Sequence, residues 1–391
     1  MTHKPVRLGA RTPRQSTARP VAGAPDRGGH MGSRTARRRL RLTAVVGTIL
    51  VTAALAAPAV AQASGFRQVN LVSDKPGLAM LTDSNLVNPW GLSAGPTTPL
   101  WIADNGTDVS TIYPVAAHGM PISIAPLVVS IPGGAPTGTV FNPSTSFKVH
   151  VGNQDLPATF LFDSEAGMIT AWPFTNPPGT SAKAELSVPD AIFKGLALGF
   201  VHGRGHLLYA ADFHHNQIVV VNGRFHRTHV AGGFHDPNLP HGFAPFNIQN
   251  IGGKLYVAYA KQDPAAEDEI AGAGLGFVDV YSRDGHLLHR VASRGALDAP
   301  WGLVKAPAGF GRFGGALLVG NFGNGKINAY NIRTGRWLGE LRRPNGHAVQ
   351  IDGLWALMFG NGTTAEKSTL LFSAGPDEES HGLFGAITAA P

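Results

Sequence analysis

Short apolar runs separated by turn residues alternate along the chain from Gly65 onward. Gly and Pro interrupt these runs, and no apolar stripe with helical spacing continues for three turns. Many short, evenly spaced strands are typical of a β-sandwich, a β-barrel or a β-propeller. The pattern therefore predicts an all-β domain with few helices.

The spacing of one recurring step separates these three architectures. A Gly-Leu pair opens an apolar run at four places, Gly91, Gly195, Gly302 and Gly353. Their separations of 104, 107 and 51 residues are two, two and one units of about 52, within the range of propeller blades. The unit predicts two further openings, near residues 143 and 248. Runs at 137–141 and 245–249 fill these places, so the fold class predicted is a six-bladed β-propeller.

The last blade has one strand fewer than the others. Its apolar runs are Leu354–Phe359, Thr369–Ser373 and Gly382–Ile387. An unassigned run, Phe66–Val72, lies at the other end of the domain. We expect it to complete the last blade and to close the ring, which removes a free sheet edge.

The first 63 residues differ from the rest of the chain. A segment rich in Arg, Pro and Gly is followed by the basic stretch 34–42, the apolar run 43–57 and small residues up to Ala63. This order is typical of a secretory signal peptide cleaved near Ala61 or Ala63. A membrane anchor is the alternative, but the apolar run is shorter than the ~20 residues of a bilayer span. Residues 64–391 are then a single, secreted propeller domain.

Two points about export stay open in the sequence. The Arg pairs of the basic stretch are compatible with the general secretory route and with twin-arginine export. The start of translation is Met1 or Met31, since the second would give a leader of ordinary length.

Removal of the leader changes the charge of the protein. The whole chain has 32 Lys and Arg and 25 Asp and Glu. Eleven of these basic residues and one acidic residue precede residue 64, so the domain has 21 basic and 24 acidic residues. No basic cluster is visible along its sequence, and we therefore expect no nucleic-acid partner. The absence of cysteine excludes disulfides, thiolate metal sites and thiol nucleophiles.

Several long motifs resemble a bacterial family of conserved hypothetical exported proteins, some of which carry a PEP-CTERM sorting tail. The similarity covers residue 66 to the end of the chain, where no such tail follows the last strand. It implies an exported, NHL-like six-bladed propeller and transfers no catalytic residue. The motifs that carry it are Asn70–Asp74, Asn85–Gly91, Asp236–Pro240, Ala244–Tyr256, Tyr259–Asp263, Ala271–Gly274, Leu318–Gly323 and Ile351–Trp355.

Two motifs with possible chemistry have simpler explanations. Gly91–Gly95 matches the G-x-S-x-G nucleophile elbow, but Ser93 lies on a predicted first strand and not in a strand-to-helix turn. The adjacent His214 and His215 would point to opposite faces of an extended segment and could not share a metal. We therefore predict no catalytic residue from either motif.

Propeller geometry indicates a different candidate site. The first strand of each blade runs away from the top face and the second strand returns to it, so residues before the first strand and after the second gather at one mouth of the channel. This mouth is the default place for a ligand, although Asp and Asn also cap turns without any ligand. The candidate ligand-binding residues are Trp90, Asp104, Asn105, Lys194, Asp212, His214, Asn247, Asn321 and Asp352.

Two functions follow from this mouth. The first is a monomeric, non-catalytic module that binds a protein, a glycan or a small molecule. The alternative is a Ca²⁺-dependent hydrolase or lactonase, because oxygen ligands suit Ca²⁺ and a bound metal polarises an ester carbonyl. The calcium ligands would be Asp104, Asp212, Asn321 and Asp352.

Overall fold

The computed structural model describes residues 65–114 and 122–390 of the chain. The predicted leader and signal peptide lie outside these residues. The described part consists of β-strands and two 3₁₀ turns, Asn105–Thr107 and Gly311–Phe313. No helix in the described residues is long and apolar enough to cross a membrane.

The strands up to the third blade follow the predicted units closely. Two strands precede the first blade, β1 Gly65–Ser73 and β2 Leu81–Thr82. Blade one contains β3 Pro89–Ser93, β4 Leu100–Asp104, β5 Val109–Tyr113 and β6 Val129–Ser130. Blade two contains β7 Pro136–Phe141, β8 Lys148–Val151, β9 Gln154–Ser164, β10 Met168–Pro173 and β11 Lys183–Ser187. Blade three contains β12 Phe193–Val201, β13 Gly205–Asp212, β14 Gln217–Asn222 and β15 Arg227–Thr228.

The remaining strands form the other three blades. Blade four contains β16 Phe243–Ile251, β17 Lys254–Gln262, β18 Glu269–Ile270, β19 Phe277–Tyr281 and β20 Leu287–Ser293. Blade five contains β21 Pro300–Lys305, β22 Leu317–Asn321, β23 Ile327–Tyr330 and β24 Trp337–Glu340. Blade six contains β25 Leu354–Phe359, β26 Leu370–Ala374 and β27 Leu383–Ala390, together with β1 and β2.

The six sheets, antiparallel except for the parallel pair β1 and β2, confirm the six-bladed β-propeller. The N-terminal strand β1 pairs antiparallel with β27 along its whole length, from Gly65 opposite Ala390 to Ser73 opposite Leu383. The sheet order of blade six is β25, β26, β27, β1 and β2. The predicted closure of the ring is therefore confirmed, and both ends of the domain are held in one sheet.

The Gly-Leu step reflects a close approach of neighbouring blades. A Cβ atom added to Gly91 would lie 2.6 Å from the carbonyl oxygen of Thr137 on the next first strand. One added to Gly302 would lie 2.8 Å from the carbonyl oxygen of Trp355. Because real Cβ atoms do not approach backbone so closely, glycine is needed at these two positions of the first strands.

The repeat predicted the wrong position for the opening of blade six. Leu354 pairs with the last residue of its second strand, as Pro89 does in blade one. Trp355 is therefore the equivalent of Trp90. The Gly353-Leu354 pair lies three residues before the position that the Gly-Leu pair has in blades one, three and five. It resembles those openings only because Gly353 happens to precede this strand.

Ring closure generates a stability prediction. Phe66 of β1 is buried and packs against Phe310 and Phe313 of blade five, with ring centroids 4.9 and 5.8 Å away. Replacement of Phe66 by Ala should lower the free energy of unfolding by about 3 kcal/mol or more. Val69→Ala, at an exposed position of the same strand, should cost less than about 1 kcal/mol. Denaturant unfolding of both variants measures this, and equal effects would contradict a structural role for β1.

Candidate functional site

The channel axis is filled by one residue from each first strand. We call these six side chains the axial layer: Trp90, Thr137, Lys194, Phe246, Trp301 and Trp355. Trp90 stacks on Trp355 with ring centroids 3.5 Å apart, and Trp301 meets both rings edge-on. Such aromatic contacts are favourable beyond the burial of the rings themselves. The layer therefore blocks the channel.

Lys194 is the single charged member of the axial layer. Its side chain is 1% exposed, and its Nζ lies 5.4 Å from the centroid of the Trp90 ring. The ammonium donates to Glu165 Oε1 at 2.5 Å and to Asp268 Oδ1 at 3.1 Å. An ammonium over an indole face is attracted by the ring, and the two carboxylates supply the hydrogen bonds that burial requires.

The partners of Lys194 come from connections between second and third strands, which lie at the top face. Glu165 follows β9, whereas Asp268 and Glu269 belong to the long connection after β17. Glu379 follows β26 and is electrostatically coupled to Lys194. We call these four carboxyl groups the top-face cluster. They belong to alternate blades two, four and six, which meet only near the axis.

A chain of amide hydrogen bonds joins this cluster to the axial layer. Asn88 donates to Glu379 Oε2 at 2.6 Å and to Asn105 Oδ1 at 3.3 Å. Asn105 donates in turn to Glu165 Oε2 at 2.9 Å. The indole N–H of Trp355 donates to Asn88 Oδ1 at 2.9 Å. The carboxylates are thus oriented by fixed amides, and the site does not depend on solvent to hold its shape.

The environment of the cluster shifts several pKa values. Burial alone would lower the pKa of Lys194, but Glu165, Glu269 and Asp268 outweigh it and hold the pKa above its ordinary range. Burial raises the pKa of Glu269 to about 8, against the opposing effect of Lys194. The pKa of Glu379 is also raised by burial. Clustered groups with perturbed pKa values are characteristic of functional sites.

A strained turn positions Glu379. Asp377, Glu378 and Glu379 all have positive φ values, between 54° and 64°. Three successive non-glycine residues in the left-handed region are costly and persist only where surrounding contacts enforce them. Here Lys75 binds Asp377 at 2.6 Å and Asn88 binds Glu379. The turn therefore places a carboxyl group over the axis at a conformational cost.

The structure brings three predicted residues, Trp90, Asn105 and Lys194, together at the top mouth. Asn247 lies on the other side of the axial layer, where its side chain donates to the carbonyl oxygen of Trp301 at 2.8 Å. His214 is half-buried beside the long connection of blade four, with Nδ1 3.2 Å from the carbonyl oxygen of Ala266. The side chains of Asn247 and His214 are therefore held by hydrogen bonds to backbone carbonyl groups.

Asp104, Asp212 and Asn321 end the second strands of their blades. Asp104 accepts from the backbone and the hydroxyl group of Thr111 at 2.9 and 2.7 Å. Asp212 accepts from His215 and Gln217 of its own turn. Asn321 donates to the carbonyl oxygen of Ala296 at 2.8 Å. Asp212 therefore caps its own turn, whereas Asp104 bonds to the neighbouring strand β5 and Asn321 to a carbonyl group distant in sequence.

Asp352 lies at the top face, but not at the axial position that the sequence analysis gave it. The residue precedes the first strand of blade six by two positions, because that blade was aligned out of register. Its exposed carboxylate accepts from the backbone N–H of Asp377 at 3.0 Å. Within residues 65–114 and 122–390, no group of three or more His, Asp or Glu side chains is arranged to hold a metal ion.

Sequence reasoning missed most of the top-face cluster. Asp104 was a candidate because it ends the second strand of its blade. The residues that follow a second strand lie at the same face and are candidates for the same reason. The acidic runs 267–269 and 377–379 lie in those connections and were the available signal. The distance from the strand end varies between blades, so an alignment by fixed position did not find them.

Beneath the axial layer, the channel widens into a cavity of about 710 Å³ that opens toward the bottom face. All six first strands contribute to its walls. Residues along these walls include Ser93, Val140, Ala197, Gln249, Val304 and Met358. The two ends of the channel therefore differ, with charged groups above the layer and mostly neutral ones below it.

Comparison with known proteins finds relatives of undetermined function. The chain is 34% identical over 325 residues to the uncharacterized protein R648 of Acanthamoeba polyphaga mimivirus, covering 81% of this chain and 78% of the relative. It is 32% identical over 328 residues to the uncharacterized protein L690 of the same virus, covering 81% and 84%. No protein-family model matches the chain.

Solved structures of low sequence identity have a similar shape. Virginiamycin B lyase from Staphylococcus aureus aligns with a TM-score of 0.42 and 12% identity, over 83% of this chain and 98% of that one. A Bacteroides thetaiotaomicron protein of unknown function aligns with a TM-score of 0.49 and 10% identity, over 83% and 76%. These likenesses concern the fold alone.

Removal of the Lys194 ammonium should destabilise the propeller through its partners. Lys194→Met leaves the top-face carboxylates without their shared cation, and the loss of one partner of a buried pair costs about 3 kcal/mol. Burial raises the pKa values of Glu269 and Glu379, so the loss should be smaller at pH 5, where these two groups hold their protons more fully. Lys254→Met, at an exposed position on β17, should change the free energy of unfolding by less than about 1 kcal/mol. Urea unfolding at pH 5 and 7.5 tests both variants.

The raised pKa of Glu269 predicts a specific pH dependence. The unfolded chain loses this proton near pH 4.5, whereas the folded protein keeps it up to about pH 8. Stability therefore falls as the pH rises between these values, by at most about 1.4 kcal/mol per pH unit for this group. In Glu269→Gln the fall between pH 5 and 8 should be smaller by more than about 1 kcal/mol. The exposed neighbour Glu267→Gln should match the wild type, and a common slope for all three proteins would refute the assignment.

Proposed function

The chain belongs to the family of the mimivirus proteins R648 and L690, and we propose that it is a binding module that takes a positively charged group of a partner at its top-face mouth. The proposal makes the protein a recognition module and assigns no reaction to it. Six-bladed propellers serve many functions, so the proposal depends on the site and not on the fold.

The observation that carries the proposal is the unequal charge at the axis. Four carboxyl groups from three blades surround one ammonium, that of Lys194. When Glu269 holds its proton, the other carboxyl groups of the cluster still outnumber the single ammonium. The residual field is negative, and low-dielectric walls concentrate such a field at a concave mouth.

Part of this charge is accessible from solvent. The Asp268 side chain is 74% exposed and that of Glu165 is 28% exposed, although both contact the buried ammonium. Each keeps a face toward solvent that a second cation can approach. A lysine or arginine side chain of a partner would meet carboxylates that are already oriented by Asn88 and Asn105, which lowers the ordering cost of binding.

A labelled octalysine peptide tests the proposal directly. Fluorescence anisotropy in 50 mM salt should show binding that weakens steeply as salt is raised, because the attraction is screened. Asp268→Asn combined with Glu379→Gln should weaken binding at least about tenfold. Asp155→Asn, which removes an exposed carboxylate on β9, is the matched control and should bind as the wild type does. An octaserine peptide should not bind.

Two outcomes would count against this function. Equal binding by the double variant and the Asp155 control would show that the peptide uses another surface. A rise in melting temperature with Ca²⁺, lost with EDTA and in Asp104→Ala or Asp212→Ala, would favour the calcium-dependent hydrolase instead. Export through a cleaved signal peptide, and membership of the bacterial exported family, stay predictions of the sequence.

A further inference from the structure

Basic residues of the described chain collect at the bottom face. This face holds the connections from first to second strands and from third to fourth strands, together with the strand ends beside them. Twelve Lys and Arg residues lie there, and eleven of them are exposed. They are Lys148, Lys183, Arg204, Arg224, Arg227, Lys254, Arg283, Lys305, Arg312, Arg333, Arg336 and Lys367.

Acidic residues are scarce at the same face and abundant at the opposite one. Only Asp155, Asp284 and Glu366 lie among the described bottom connections and adjoining strand ends. Most of the remaining acidic residues lie in the top connections, including the runs 267–269 and 377–379. The two faces therefore have opposite charge, although the domain as a whole is slightly acidic. The sequence analysis found no basic cluster because these residues are spread singly over five blades.

Exposed apolar side chains lie among the basic residues. Each of blades one to five contributes a large apolar residue at least 40% exposed toward its bottom end. Phe174 follows the third strand of blade two, Phe200 lies near the end of β12 and Trp337 opens β24. These side chains come from five neighbouring blades, one from each. The set is Ile124, Phe174, Phe200, Leu288 and Trp337.

We propose that the bottom face docks on an anionic lipid surface. Lys and Arg attract negatively charged headgroups, and Trp, Phe and Leu side chains enter the boundary between headgroups and acyl chains. Both kinds of group occur together at this face. The proposed binding is peripheral.

The distribution of these groups favours a planar partner over two others. A nucleic-acid duplex needs a stripe or cleft of basic residues, whereas here they surround the channel opening on blades two to six. A second copy could offer its acidic top face, but the apolar ring would then face charged loops. A flat anionic surface can contact the basic and the apolar side chains of all these blades at the same time.

Vesicle co-sedimentation tests the proposal with the intact domain. Vesicles of phosphatidylcholine with 30 mol% phosphatidylglycerol should bind the protein in 50 mM salt, and vesicles of phosphatidylcholine alone should not. Arg333→Gln with Arg336→Gln should weaken binding up to about 25-fold, because each basic residue near such a surface contributes about fivefold. Lys261→Gln with Arg294→Gln is the charge-matched control and should bind normally, because Lys261 lies near the end of β17 and Arg294 follows β20, both at the top face.

The apolar contribution has its own matched pair. Phe174 and Met80 are both 62% exposed, but Met80 lies beside the middle of β1 on the outer edge of blade six, where its backbone N–H donates to the carbonyl oxygen of Asn70. Phe174→Ser should weaken vesicle binding about tenfold and Met80→Ser should not change it. Circular dichroism confirms that each variant is folded.

Three results would overturn the proposal. The first is equal binding to charged and neutral vesicles. The second is no loss of binding in the bottom-face variants while they remain folded. The third is binding to a 20-base-pair duplex that is tighter than binding to vesicles, or self-association of the protein in low salt. Either interaction would have to be lost in the bottom-face variants and to persist when vesicles are present.

Discussion

The structure depends on the convergence of six first strands around one axis. In blades one and five the backbones approach so closely that a Cβ atom on Gly91 or Gly302, after the axial residue, would collide with the next blade. The axial residue itself has room only along the axis, where it must fill the channel. The axial positions of blades one, four, five and six are aromatic, and the rings of Trp90 and Trp355 stack there.

One exception in the axial layer changes the chemistry of the top face. Blade three places Lys194 where other blades place aromatic rings, so a charge is buried at the centre of the ring. Burial of that charge requires carboxylates, which Glu165 and Asp268 supply at 2.5 and 3.1 Å. The strained turn that holds Glu379 and the amide chain through Asn88 fit the same requirement. The acidic mouth is thus a consequence of a single lysine on the axis.

The same topology separates charge across the molecule. Connections of one kind always return to the same face, so the acidic and basic residues of different blades accumulate without being neighbours in the sequence. The domain has a small net charge, yet its two faces differ strongly in sign. This arrangement allows a cationic group and an anionic surface to be bound at opposite ends of one channel.

The sequence predicted the fold well because a repeat of about 52 residues constrains every strand, and the spare strand at Phe66 identified the ring closure. It predicted the site in part. Trp90, Asn105 and Lys194 follow from strand ends, whose positions the repeat defines. The carboxyl groups at 268 and 379 lie in connections of irregular length, so periodicity does not place them. Because a glycine precedes β25, the sequence alignment placed blade six out of register and assigned Asp352 to an axial position that it does not occupy.

The central claim is that a charged Lys194 ammonium lies buried on the axis. Heteronuclear NMR of the lysine Nζ groups measures this directly, with Lys194→Met used for assignment. We expect one ammonium signal with slow proton exchange that stays protonated beyond the ordinary lysine pKa of about 10.4. A Lys194 signal that exchanges as fast as those of surface lysines, or that loses its proton at or below that pKa, would contradict the account.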